Sequence, residues 1–125
     1  MAALTVGDAR FQPGFETVDT SISAVVAMYG YYGSAGSEGD SASSPLAYLH
    51  AKAPPFLIIH GTLDTLVLVE DARYFADELA RASDQPVVYA ELPGTQHNFD
   101  FFHSLRCHAV TDAVESFVTC VRART

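Results

Sequence analysis

An acid and an imidazole occupy matching positions after two apolar runs of the sequence. Asp64 follows the run "PPFLIIHG" and lies three residues beyond Gly61. His97 follows the run "QPVVYAELPG" and lies three residues beyond Gly94. A carboxylate beside an imidazole fixes the tautomer of the ring and stabilises the imidazolium that forms when the ring takes up a proton. If the fold brings them together, these two side chains could serve as the acid and the general base of a hydrolytic reaction.

Three apolar runs rich in β-branched residues predict the strands that would position this pair. The first is "SISAVVAMYGYYG", in which we expect a strand at about Ile22 to Tyr29, covered on both faces. The second is "PPFLIIHG", which is opened by prolines that cannot sit inside a sheet and closed by a glycine, and the third lies in "QPVVYAELPG". Continuous apolar runs of this kind are typical of parallel sheets.

Two helices are predicted between and after these strands. The first has apolar residues at helical spacing, namely Val69, Ala72, Phe75, Ala76 and Leu79. The second lies in "FFHSLRCHAVTDAVESFVTCVRAR", with one apolar side formed by Leu105, Ala109, Val114, Phe117 and Val121. A shorter helix is expected in "SSPLAYLH", where Pro45 suits the first turn.

The order of these elements predicts a single α/β domain over residues 1–125, with about three parallel strands and flanking helices. In open α/β sheets, ligands and catalytic groups gather beyond the carboxyl ends of the strands. The loops that contain Asp64 and His97 follow two such ends, so we expect them to be neighbours.

Composition excludes some functions. Seven Lys and Arg stand against fifteen Asp and Glu, a formal net charge of −8, and no basic run occurs, so we expect no nucleic-acid partner. No apolar run approaches the ~20 residues that span a membrane, and "MAALTVGDARFQ" lacks the features of an export signal. For the chain as it stands we expect a cytoplasmic location.

Metal binding is not expected either. His103 and Cys107 fall four residues apart in the last predicted helix and could contact one ion. Two ligands without a third and a fourth do not form a zinc site, so a solvated helix face explains them better. His60 closes the second strand, and we expect it to pack locally.

Two longer segments carry a resemblance to a known fold. "PPFLIIHGTLDTLVLVEDARYFADEL" combines a strand, an acid loop and a helix, and "YAELPGTQHNFDFF" contains a histidine loop. They resemble the α/β-hydrolase fold and, within it, the hormone-sensitive-lipase-like carboxylesterases and lipases. The resemblance covers nearly the whole chain, read as the C-terminal portion of such an enzyme.

The resemblance implies a Ser–acid–His triad in which Asp64 is the acid and His97 is the base. It implies hydrolysis of a small-molecule carboxylic ester through an acyl-enzyme, without a metal or an organic cofactor. It also implies that residues 1–20 are the tail and exit of the family's nucleophile helix, and that residues 21–125 are three strand–helix units. Phe99 and Phe101 could wall an acyl pocket, or could equally anchor the last helix.

Ser41 in "GDSAS" is the candidate nucleophile, but its surroundings argue against it. In the family the serine lies on a tight turn between a strand and a helix, which exposes its hydroxyl above the sheet. Here loop residues separate Ser41 from the preceding strand, and Ser43 stands where the family has a glycine. We expect Ser41 to be a surface-loop serine and the chain alone to be inactive.

Two alternatives remain open at this point. The chain could be a non-catalytic remnant or a partner-binding module that associates through the exposed edge of its first strand. It could also be a small, complete α/β binding domain of flavodoxin-like shape, although no glycine-rich phosphate loop follows a strand.

Overall fold

Three parallel strands form the sheet of the computed structural model, which describes residues 1–33 and 41–124. The strands are β1, Val25–Met28; β2, Phe56–Gly61; and β3, Val87–Leu92. They lie in the order β1-β2-β3, and both neighbouring pairs are parallel. The carboxyl ends of β2 and β3, which precede Asp64 and His97, therefore meet at the same edge of the sheet.

The central strand β2 carries the core because all six of its residues are buried. Successive side chains of a strand point to opposite faces, so Phe56 and Ile58 enter one apolar cluster, and Leu57 and Ile59 enter another. One helix covers each cluster. This two-sided burial explains why the run is continuously apolar rather than alternating.

The helix α1, Val69–Ala82, covers the cluster of Phe56 and Ile58. Its buried residues are the five apolar residues predicted from helical spacing, Val69, Ala72, Phe75, Ala76 and Leu79. The ring of Phe75 stacks on that of Tyr32 with centroids 4.4 Å apart. On the exposed side, Arg73 forms a bidentate ion pair with Glu91 of β3, at 2.8 and 2.7 Å, which ties the helix to the sheet.

The helix α2, Leu105–Arg122, covers the other face, and two of its predicted core positions are wrong. Leu105 is 90% exposed and Ala109 is also exposed, whereas Val110 is buried. At about 100° per residue, Val110 lies on the same side as Phe117 and the other buried residues, while Leu105 and Ala109 are turned away. The buried face is narrower and rotated relative to the prediction.

The edge strand β1 is shorter and less buried than expected. It covers Val25–Met28 rather than Ile22 to Tyr29, and all four residues are only half-buried. Two causes are visible. Pro54 and Pro55 precede β2, and proline has no N–H to continue a ladder. At the other end, Tyr29 has a φ of 43°, which takes the backbone out of the strand.

The other helical segments of the described chain are short 3₁₀ helices. Residues 1–20 contain two, Ala2–Leu4 and Ala9–Phe11, and their correspondence to the tail of a nucleophile helix stays a prediction. The short helix expected near Pro45 is confirmed as a 3₁₀ helix over Pro45–Tyr48. Within residues 1–33 and 41–124, no helix combines the length and apolar character that a membrane span requires.

Candidate active site

Backbone and side-chain hydrogen bonds hold together the two loops that follow β2 and β3. The N–H of Thr62 donates to the carbonyl of Leu92 at 3.1 Å, and that of Leu63 donates to Thr95 at 3.0 Å. In the reverse direction, the N–H of Gly94 donates to the Thr62 hydroxyl at 2.9 Å. The loops are thus bonded directly beyond the strand ends, and their relative position is set by the backbone.

Gly61, the last residue of β2, makes this close approach possible. A Cβ atom at this position would lie 2.2 Å from the carbonyl oxygen of Thr95, well inside van der Waals contact. Gly94 serves a different purpose, because its φ of +64° makes a turn that other residues rarely adopt. The two glycines that precede the candidate acid and base each have a distinct structural reason.

Asp64 and His97 meet at the junction of these loops. The Nδ1 atom of His97 lies 2.7 Å from Oδ2 of Asp64, a short contact typical of a charge-assisted hydrogen bond. Since a carboxylate only accepts, Nδ1 carries the proton and Nε2 is left as the basic atom of the neutral ring. The side chain of Asp64 is 0% exposed and that of His97 is 21% exposed, so the acid is enclosed and the base remains accessible.

The second oxygen of Asp64 is held by the backbone. Its Oδ1 accepts hydrogen bonds from the N–H groups of Leu66 and Val67, both at 2.9 Å. Burial alone would raise the pKa of Asp64, but the bonds from Val67, His97 and Leu66 together hold that pKa below its usual value. The carboxylate therefore stays ionised beside the imidazole at neutral pH.

Tyr29 is a neighbour of His97 that the sequence did not reveal. Its ring lies against the His97 ring, with centroids 4.6 Å apart, and its hydroxyl donates to Oδ1 of Asp100 at 3.0 Å. Burial, followed by the hydrogen bond to Asp100, raises the pKa of Tyr29. The only available signal was its place at the end of the first strand, beside Gly30.

The sequence also left the role of His60 undefined. As predicted, it closes β2 and packs inside the protein, with 0% exposure. Its Nε2 atom lies 3.0 Å from the carbonyl oxygen of Val67 and 3.4 Å from Oδ2 of Asp64. The ring thus reaches the acid loop, which no periodicity could have indicated.

The aromatic residues after His97 divide into two kinds. Phe99 packs edge-on against Tyr29 at 5.3 Å and contacts the cluster beneath α2. Phe101 is 76% exposed and pairs with Phe102. For both Phe99 and Phe101, contact with a substrate stays a prediction.

Ser41 does not occupy the kind of turn that the family's nucleophile requires. It begins the exposed 3₁₀ helix Ser41–Ser43 rather than a turn between a strand and an α-helix. Among the described residues, no hydrogen bond joins Ser41 to His97. Gly39 and Asp40 of the "GDSAS" segment lie outside the described residues.

His103 and Cys107 do not lie on one helix, although the sequence predicted both in the last helix. His103 precedes α2, whose N-cap is Ser104, whereas Cys107 lies in the first turn. The prediction that His103 belongs to the last helix was therefore wrong, because the helix begins only after its N-cap Ser104. In the described part of the chain, no group of three or more His, Cys, Asp or Glu is placed to hold a metal ion.

Comparison with known proteins places this geometry in a family. Residues 15–121 match the model of the prolyl oligopeptidase family. The chain belongs to the prolyl oligopeptidase family. The match includes all three strands and the loops that contain Asp64 and His97.

Curated relatives of this family member come from Mycobacterium tuberculosis. The chain is 41% identical to the probable carboxylic ester hydrolase LipM over 98% of its own length, and 32% identical to the esterase LipQ over 99%. It spans 34% of LipM and 35% of LipQ, about a third of each. These relatives are consistent with the resemblance to hormone-sensitive-lipase-like esterases.

Solved structures confirm the fold. A butyrate-bound form of esterase 2 from Thermogutta terrifontis aligns with 96% of the chain at a TM-score of 0.77 and 19% identity, covering 51% of that protein. The form phosphonylated by cyclosarin aligns with 84% at a TM-score of 0.74 and 23% identity, covering 43%. The described strands and helices form part of an α/β-hydrolase fold, as predicted, and not a flavodoxin-like domain.

Proposed function

We propose that this chain contributes the acid, Asp64, and the general base, His97, of a serine hydrolase that cleaves carboxylic esters. The observation that carries this proposal is the 2.7 Å hydrogen bond between a buried, backbone-held carboxylate and a partly exposed imidazole. The esterase names of the relatives support the choice of ester over other acyl compounds.

The geometry suits two proton transfers at Nε2 of His97. In the first, Nε2 takes the proton of a serine hydroxyl as the oxygen attacks the ester carbonyl, and Asp64 stabilises the resulting imidazolium. The ring then gives that proton to the departing alcohol, which leaves an acyl-enzyme. Water, activated by the same ring, hydrolyses the acyl-enzyme and releases the acid.

In this proposal the attacking serine is not Ser41 and comes from outside residues 1–125. The substrates are small-molecule esters, and no nucleic acid takes part. Association of two copies through the edge of β1 is also part of the proposal. The cytoplasmic location expected from the sequence likewise stays a prediction.

A chimera tests the roles of the two residues. The segment of LipM that matches this chain is replaced by residues 1–125, and hydrolysis of a short-chain p-nitrophenyl ester is measured. We expect an active chimera in which His97→Ala lowers kcat by about 10³-fold or more and Asp64→Asn by about 10³- to 10⁴-fold, because both residues act in the same transition state.

The controls separate catalysis from folding. Ser41→Ala in the chimera should leave kcat unchanged, and residues 1–125 alone should show negligible turnover. Turnover by the isolated chain that Ser41→Ala abolishes would contradict the proposal. A folded chimera that binds no ester and turns over none would instead favour a non-catalytic module.

A further inference from the structure

We propose that His60 is a positioning residue that orients the carboxylate of Asp64 toward His97. This inference rests on the proposed roles of Asp64 and His97 and adds a third side chain to that pair. His60 does not face the substrate side, because it is the last residue but one of the buried strand β2 and none of its surface is exposed.

The contacts of Nε2 fix the tautomer of His60. The atom lies 3.0 Å from the carbonyl oxygen of Val67 and 3.4 Å from Oδ2 of Asp64. Both neighbours are acceptors, so Nε2 must carry the proton. The N–H is directed mainly at Val67, and the carboxylate oxygen lies beside the same donor.

Val67 closes a small network around the acid. Its N–H donates to Oδ1 of Asp64 at 2.9 Å, while its carbonyl accepts from His60. His60 therefore ties the end of β2 to the far side of the loop that carries Asp64. Movement of Val67 would displace both the donor to Oδ1 and the plane of the carboxylate.

Oδ2 of Asp64 is shared by two imidazoles. It lies 2.7 Å from Nδ1 of His97 and 3.4 Å from Nε2 of His60. With the backbone bonds at Oδ1, these contacts leave the carboxylate little freedom to rotate. The contact with His60 thus helps to hold Oδ2 in the orientation that faces His97.

The other nitrogen of the His60 ring argues against a role in packing alone. Its Nδ1 atom is buried and has no hydrogen-bond partner among the described residues. The ring of Tyr32 lies beside it, with centroids 6.5 Å apart. A buried polar atom without a partner lowers stability. If His60 served packing alone, an apolar side chain would fill this space without that loss. The contacts of Nε2 therefore explain why an imidazole stands at this position.

Proton NMR of the full chain tests the proposal at fixed pH and temperature. The measured signal is the low-field Nδ1 proton of His97, assigned by its loss in Asp64→Asn. We expect His60→Leu to make this proton exchange with water about tenfold faster, because the acceptor is less well held. His60→Gln, whose amide N–H can replace the Nε2 donor, should preserve the signal.

Ile58→Ala is the matched control. Ile58 is buried on the same face of β2 two residues earlier and has no polar atom. The variant Ile58→Ala should lower the unfolding temperature without changing the exchange rate of the His97 Nδ1 proton. If His60→Leu does not fold, His60→Gln is compared with His60→Asn. The shorter side chain of Asn cannot place its N–H at the Nε2 position, so we expect the His97 proton to exchange faster in His60→Asn than in His60→Gln.

The outcomes distinguish this inference from the proposed function. A His97 signal that is missing in the wild-type chain, or that survives Asp64→Asn, would overturn the acid–base pair and the role of His60 with it. A signal that depends on Asp64 but is equal in wild type, His60→Leu and Ile58→Ala would overturn only the role of His60. Equal exchange in His60→Gln and His60→Asn would do the same.

Discussion

At Asp64, burial and hydrogen bonding act in opposite directions on one carboxylate. Burial favours the neutral acid, whereas the N–H groups of Val67 and Leu66 and the ring of His97 favour the anion. The pKa of Asp64 is lowered on balance, so the hydrogen bonds outweigh the loss of solvent. The same bonds that keep the acid ionised therefore also stabilise the fold.

This balance predicts a pH dependence of stability. Because the folded pKa lies below the unfolded value, ionised Asp64 stabilises the protein above about pH 4, and this contribution is lost as the pH falls through the folded pKa. The difference in unfolding free energy between wild type and Asp64→Asn should therefore shrink between about pH 6 and about pH 3. Urea unfolding at several pH values measures it, and a difference that stays constant over this range would disprove the linkage.

At the scale of elements, periodicity predicted what the core alone determines. The five buried positions of α1 were correct because one continuous face packs on β2. The apolar face of α2 was partly wrong because Leu105 and Ala109 are apolar yet exposed, and apolar residues on a surface carry no signature in the sequence. The extent of β1 was overestimated because pairing, not composition, decides where a strand ends.

In the candidate site, too, some residues could be predicted from the sequence and others could not. Asp64 and His97 could be predicted because glycine and strand ends mark their loops, and the structure brings them to 2.7 Å. Tyr29 and His60 could not, because their roles arise from contacts across three strand ends. Tyr29 also has a positive φ, which nothing in its residue type indicates.

Substitutions of the two glycines at the junction of the loops should lower stability by different amounts. Gly61→Ala should destabilise the protein by about 2 kcal/mol or more, because its Cβ would lie 2.2 Å from the Thr95 carbonyl and the backbone must move. Gly94→Ala meets no atom within 4 Å and should cost only about 1 kcal/mol, the strain of its positive φ.

Thermal or urea unfolding of the two glycine variants gives these values, and the low-field proton of His97 reports the loop geometry. We expect Gly61→Ala to shift that signal and Gly94→Ala to shift it less. Equal stability losses in the two variants would show that close packing at Gly61 does not control the loops.

At the scale of the whole molecule, the sheet has one edge, that of β1, with which no strand pairs among the described residues. Within the described residues, β1 pairs only with β2, and Val25 and Tyr29 direct their N–H groups to that neighbour. Alternation along the strand turns the N–H groups of Val26 and Met28 outward. An unpaired row of this kind is a template for another strand.

The net charge of the chain and the unpaired edge of β1 have opposite effects on self-association. A formal net charge of −8 repels copies of the chain at low ionic strength, whereas the open edge of β1 favours pairing. Because salt screens exposed charges over about 10 Å at 0.1 M, we expect self-association of residues 1–125 to strengthen as salt is added, measured by sedimentation velocity.

Val26→Pro removes an outward N–H and should weaken association, whereas Val26→Ala, which trims the side chain but keeps the N–H, should not. Association that weakens with salt, or that responds equally to both variants, would assign the contact to another surface.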